Sequence, residues 1–232
     1  MDSALLASVA EGDRRALSKA ISAVERGDAL PQSDGGGAVI GVTGPPGVGK
    51  STLIASMIEV WRRAGESVAV LAVDPSSPIT GGAILGDRIR MQDHIDDGGV
   101  YIRSMATRGH LGGLAEAASD AAVLLSHAGF DHVVIETVGV GQSEVEVMNV
   151  ADTVVLVVGP SWGDQVQADK AGIVEIADLF VINKGDRPGV DDVRRALHEV
   201  ADSKGAEILV TTATSGEGVA ELVEAVSGLQ RL

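Results

Sequence analysis

The stretch G-P-P-G-V-G-K-S-T at residues 44–52 fits the spacing G-x-x-x-x-G-K-[ST], with Gly44, Gly49, Lys50 and Ser51 at the fixed places. That spacing serves phosphate binding. Gly44, Gly47 and Gly49 permit a tight turn whose successive N–H groups point at phosphate oxygens. Lys50 supplies a cation for the β- and γ-phosphates, and the Ser51 hydroxyl can ligate Mg²⁺. The whole run of Gly44, Pro45, Pro46, Gly47, Val48, Gly49, Lys50, Ser51 and Thr52 is the candidate cradle. Three carboxylates are candidates to share the metal: Asp74 and Glu136, each ending a strand-like run, and Asp87, closing a Gly-rich stretch between them. Mg²⁺ takes oxygen ligands in an octahedron, usually one or two carboxylates with phosphates and waters. Some of Asp74, Asp87 and Glu136 would supply these, directly or through water. An ordinary solvated strand end is the competing account of Asp74 and Glu136. For Asp87 it is a helix N-cap.

A second constellation reads the base. The run at 179–182 leads into Asn183-Lys184-Gly185-Asp186, which fits N-K-x-D. A carboxylate at Asp186 can accept hydrogen bonds from guanine N1–H and the 2-amino group. Adenine offers an acceptor at N1 and no amine, so it is rejected. Lys184 can lie along the base plane, and Asn183 can brace neighbouring loops. The last strand leads to T-T-A-T-S-G at 211–216, similar to an S-A-x-x-G loop that offers a backbone N–H to guanine O6. Thr212, Ala213 and Thr214 are the candidates, with Thr212 in place of the usual Ser.

Gly139 stands three residues after Glu136, which resembles the D-x-x-G switch of GTPases with Glu for Asp. Its N–H can contact the γ-phosphate and report nucleotide state. Small GTPases place a water-orienting Gln directly after that glycine. Here residue 140 is Val and the nearest Gln is Gln142, so intrinsic hydrolysis is expected to be slow and to need a partner or a loop rearrangement.

Positioning these groups requires strand ends on one side of a sheet. Short apolar runs lie at 38–43, 67–73, 132–135, 153–158, 179–182 and 207–210. Helical patterns follow the phosphate loop (Leu53, Ile54, Met57, Ile58, Trp61) and lie at 114–125, 165–176, 190–200 and 219–226. Unbroken Val/Ile/Leu runs alternating with helices predict an α/β fold of P-loop NTPase type: a mostly parallel central sheet flanked by helices, with ligands at the carboxyl ends of the strands. Residues 2–25 read as two helical pieces, the first capped by Ser3 and ended by Gly12, the second capped by Asp13. Residues 31–37 read as a linker. The expected division is a short N-terminal helical extension with linker over 1–34 and a nucleotide-binding domain over 35–232.

The chain has 232 residues, no cysteine and a net charge of −15. Disulfides and thiolate chemistry are excluded, and a nucleic-acid partner is not expected of so acidic a chain. Neither a signal pattern nor a run long enough to span a bilayer is present, so no membrane role and a cytoplasmic location are expected. His94, His127, His132 and His198 form no ligand set in the sequence. Arg108 and His110 are read as solvated loop residues in preference to contacts with a partner or the nucleotide, and Arg88 and Arg90 either as partners of the acidic cluster or as surface charge.

V-D-P-S-S-P at 73–78, G-D-R-I-R-M at 86–91, R-S-M-A-T-R-G-H-L-G-G at 103–113, E-T-V-G-V-G-Q-S-E at 136–144 and N-K-G-D at 183–186 resemble the MeaB/ArgK family, to which the human methylmalonic aciduria type A protein belongs. The likeness runs over essentially the whole chain. It implies a SIMIBI-type GTPase, using GTP, GDP and Mg²⁺, that chaperones an adenosylcobalamin-dependent mutase, chiefly methylmalonyl-CoA mutase, as its protein partner. It also implies that Lys50, Asp74, Asp87 and Glu136 serve phosphate and Mg²⁺, and that 163–170 is a further switch containing Lys170. Two departures are visible. Ser161-Trp162 replaces a Gly and a small residue, with Trp162 either a partner contact or a core residue. The chain also stops soon after its last helix, where the family's homodimerising arm is expected. Two other functions compete. A nickel-enzyme maturation GTPase of hydrogenase or urease type usually carries Cys/His motifs, which are missing here. A kinase or transport ATPase does not fit the guanine signature.

Overall fold

The computed structural model describes residues 1–30, 38–74, 94, 96–106, 111–137, 139, 141–162 and 172–229. Seven strands form one sheet: β1 (Val39–Thr43), β2 (Val68–Asp74), β3 (Val100–Ala106), β4 (His132–Thr137), β5 (Thr153–Val158), β6 (Leu179–Asn183) and β7 (Glu207–Thr211). Their order is β3-β2-β4-β1-β5-β6-β7, and every pairing is parallel. All seven carboxyl ends therefore lie on one side.

Consecutive strand residues point to opposite faces, and both faces are apolar because both are covered. On one face Ile40, Val42, Val70, Val134, Val155, Val157 and Val181 pack under α3 (Lys50–Arg63) and α8 (Val219–Leu229). On the other, Val39, Leu71, Ile135, Leu156, Phe180 and Ile182 pack under α4 (Leu111–His127), α5 (Gln142–Met148), α6 (Ile173–Ile176) and α7 (Val190–Lys204).

The N-terminal segment forms α1 (Ser3–Ala10) and α2 (Arg14–Val24), whose Val9, Leu17, Ile21 and Val24 join that second core. Asp13 caps α2 as expected, accepting from the N–H groups of Arg15 (2.7 Å) and Ala16 (3.2 Å). The cap of α1 is Asp2 instead of Ser3, because the Asp2 carboxylate accepts from Ala4 N–H. Arg103 on edge strand β3 reaches Glu25 (2.8 Å) and Ser22 (2.9 Å), holding α2 against the sheet edge. Trp162 is a core residue, 3% exposed.

Candidate functional site

The register sets the strand ends level. Val42 on β1 is paired with Glu136 on β4, and Asn183 on β6 with Thr211 on β7. β1 turns straight from Thr43 into the loop 44–49, and α3 begins at Lys50 with Gly49 as its N-cap. Two glycines in that turn are dictated by space as well as by φ. A Cβ on Gly44 (φ 146°) would lie 1.9 Å from the Val157 carbonyl oxygen. One on Gly49 (φ 97°) would lie 2.6 Å from Asn183 Nδ2. Strand β1 can lie flush against β5, and Asn183 can reach the loop, because both positions lack a side chain.

At the helix start the chemistry becomes polar inside an aliphatic core. Lys50, Ser51 and Glu136 are all buried. The Lys50 ammonium donates to the carbonyls of Gly44 (2.7 Å) and Pro45 (3.1 Å). The Ser51 hydroxyl donates to Glu136 Oε1 at 2.7 Å. A buried charge is tolerated only when paired and hydrogen-bonded, and such groups concentrate where chemistry is done. Ser51 Oγ and Glu136 Oε1 are adjacent oxygen donors, the donor class that Mg²⁺ prefers. Among the described residues no group of three or more His, Cys, Asp or Glu side chains is arranged to hold a metal ion.

Asn183 sits at the junction of three segments. Its Nδ2 donates to the Val48 carbonyl (2.9 Å), and its Oδ1 accepts from Thr211 Oγ1 (3.1 Å) and Ala213 N–H (3.1 Å). Lys184 adopts φ 62°, the left-handed region, rare for a residue with a side chain. Its ammonium donates to the Gly47 carbonyl. The result is a pocket lined by Gly49, Thr52, Asn183, Lys184, Asp186, Arg187, Thr212, Ala213 and Thr214, directly beside the loop 44–49. The residues of the base-reading constellation thus line one pocket together with Gly49 and Thr52 of the phosphate-loop run.

Residues 10–232 match the family model described as methylmalonyl Co-A mutase-associated GTPase MeaB. The chain belongs to the MeaB family of GTPases. The Pyrococcus horikoshii protein PH0274 is 48% identical over 239 residues, covering 96% of this chain and 75% of that protein. Escherichia coli GTPase ArgK is 42% identical over 200 residues, covering 81% of this chain and 60% of ArgK. A crystal structure described as LAO/AO transport system kinase superposes with a TM-score of 0.71 at 27% identity, over 100% of this chain and 76% of that one. The MeaB-family fold here is accordingly that of a P-loop GTPase, and the ligand class is a guanine nucleotide.

Other expectations fall elsewhere. Asp87, Arg88, Arg90, Arg108, His110, Lys170 and the segments 31–37, 75–78, 86–91 and 163–170 lie outside the described residues. So does the side chain of Asp74, whose backbone ends β2 and pairs with Ala106 on β3. Of the helix expected at 165–176, the described part is α6, Ile173–Ile176. Strand β3 and helix α5 were not expected. Four polar residues were given no role by the sequence. Thr137 Oγ1 donates to Thr43 Oγ1 (2.9 Å), which donates to the Gly139 carbonyl (2.9 Å). Ser56 Oγ donates to the Ala213 carbonyl (2.7 Å), tying α3 to the 211–214 loop. Glu144, also buried, stands over Gly139 and Gly141. Lone threonines and serines, at strand ends or within a helix, carry no spacing signal. The signal available for Glu144 was an acidic residue at the third position of a helix, hidden because the N-cap is Gly instead of Ser or Thr.

Proposed function

We propose that this chain is a cytoplasmic GTP-hydrolysing switch that gates cofactor loading and protection of an adenosylcobalamin-dependent mutase, methylmalonyl-CoA mutase being the first client to test. The observation that carries the nucleotide half is Asn183. One side chain ties the 44–49 loop to the 211–213 segment, so a phosphate cradle and a base pocket share a wall. In this reading Asp186 accepts from guanine N1–H and the 2-amino group, and the Lys184 stem lies along the base. The Thr212 N–H donates to the Glu217 carbonyl and the Ala213 N–H to Asn183. The donor offered to guanine O6 is therefore the Thr214 N–H.

Phosphate falls to the loop N–H groups, to the α3 N-terminus and to Lys50. Ser51 and Glu136 fit Mg²⁺, with Asp74 and Asp87 as further candidates, and the ion would neutralise charge on the β- and γ-phosphates. Hydrolysis adds water to the γ-phosphorus as the bond to the β-phosphate oxygen breaks. Lys50 and the Gly139 N–H oppose the charge that develops. Because the sequence places Val at 140, turnover is slow without a partner. Lys170 belongs to the proposed second switch. The mutase client is supported by the family description over a metalloenzyme client. The test is GTP turnover with and without methylmalonyl-CoA mutase, with Lys50→Ala as the inactive control. Stimulation is expected on adding mutase. No response to any adenosylcobalamin-dependent mutase would assign a different client, and wild-type turnover by Lys50→Ala would refute the site.

A further inference from the structure

Glu144 is the third residue of α5, whose N-cap is Gly141. It is 8% exposed. A Cβ on Gly139 would lie 2.9 Å from Glu144 Oε1, and one on Gly141 would lie 2.8 Å from Oε2. Neither glycine has a positive φ, and Gly141 (φ −78°, ψ −178°) has extended backbone that any residue adopts. A positive φ therefore does not demand glycine at either place; the end of the flexible Glu144 side chain fills the space beside both. A side chain at 139 or 141 enters only if that carboxylate is driven away. Gly139 is also held from the other side, where its carbonyl accepts from Thr43 Oγ1, itself bonded to Thr137 on β4.

We propose that Glu144 is a positioning residue for GTP hydrolysis: its carboxylate, lying against the Cα atoms of Gly139 and Gly141, fixes the backbone that presents the Gly139 N–H to the terminal phosphate. This rests on the GTPase reading and on the role given there to Gly139. Glu144 touches neither nucleotide nor ion in this role. It acts through the glycine, so its removal falls on kcat and spares the binding of GDP, which lacks the terminal phosphate. A carboxylate that served only as a helix-start bond would stabilise α5 without distinguishing the two.

The test uses the full chain as wild type, Glu144→Ala, Glu144→Gln, Gly139→Ala and the double variant Gly139→Ala/Glu144→Ala. In steady-state hydrolysis, Glu144→Ala should lower kcat roughly tenfold to a hundredfold, in line with a misplaced group. Its GDP affinity should stay within about twofold. Glu144→Gln, which keeps the shape, should recover most of the loss. In thermal unfolding without nucleotide, Gly139→Ala should cost clearly less in the Glu144→Ala background than in the wild type, because the space is then open. An unchanged kcat in Glu144→Ala overturns the proposal. So does a loss of kcat matched by an equal loss of GDP affinity, or a Gly139→Ala penalty identical in both backgrounds. A wild type without GTP turnover would sink the GTPase reading instead, and the thermal cycle would still decide whether Glu144 holds Gly139.

Discussion

Asn183 shows how much one buried side chain can hold. Its amide links the Val48 carbonyl to Thr211 Oγ1 and the Ala213 N–H. Truncation strands three buried polar groups, each costing roughly 1–3 kcal/mol when unsatisfied, with some relief by water. Asn183→Ala is expected to lower the unfolding free energy by about 2–4 kcal/mol and to weaken GDP binding, read by urea unfolding and by nucleotide titration. Unchanged stability would mean that the three segments are held by something else. Asp186 makes a sharper case, because it stands exposed at the pocket mouth and supports little else. Asp186→Asn should exchange GTP preference for xanthosine triphosphate, whose C2 carbonyl accepts from the new amide. Retained GTP selectivity would remove Asp186 from the base site. These two residues were legible because each lies at a fixed offset inside a short motif. Thr43 and Thr137 were not. A strand-end threonine looks the same whether it faces water or a neighbouring hydroxyl, and their contact depends on a register between β1 and β4.

Elements were legible where burial on both faces writes an unbroken apolar run, as in β5 and β6. Strand β3 was not, since V-Y-I-R-S-M-A carries Arg103 and Ser104, and the charge is accommodated by Glu25 and Ser22, 78 and 81 residues away in sequence. The amino ends of the strands are tied by acids as well. Asp97 has its carboxyl held below the usual carboxylate range, chiefly by its hydrogen bond to Arg62 and then by the Gly99 N–H. Asp131 is lowered by the Ser67 N–H and hydroxyl. A carboxyl with a folded-state value below the unfolded one stabilises fully above the ordinary value of 3.8 and loses that contribution as pH falls through the folded value. Thermal midpoints should thus decline below about pH 4. The Asp97→Asn/Asp131→Asn double variant should start lower at neutral pH and decline less steeply. An acid limb identical to that of the wild type would exclude both groups.

At the scale of the molecule, an all-parallel sheet gathers loops from both ends of its strand order onto one rim, and a ligand there couples segments distant in sequence. Binding to the native state alone adds about 2.7 kcal/mol at a concentration a hundredfold above Kd. For a chain of this size that raises the thermal midpoint by about 5–10 °C. GDP with Mg²⁺ should produce such a rise, and ADP should not. Equal shifts would contradict guanine selectivity. Among the described residues no helix is long and apolar enough to cross a membrane.

The chain has two tryptophans, and they divide the molecule between them. Trp61 stacks on His132 at the amino ends of the strands, with ring centroids 4.5 Å apart. Trp162 follows β5 at the carboxyl ends, its indole N–H buried without a hydrogen-bond partner among the described residues. Replacing Trp61 by Phe would leave a single emitter on the rim. Its blue-shifted fluorescence would then serve as a built-in, label-free optical gauge of rearrangement there during nucleotide exchange.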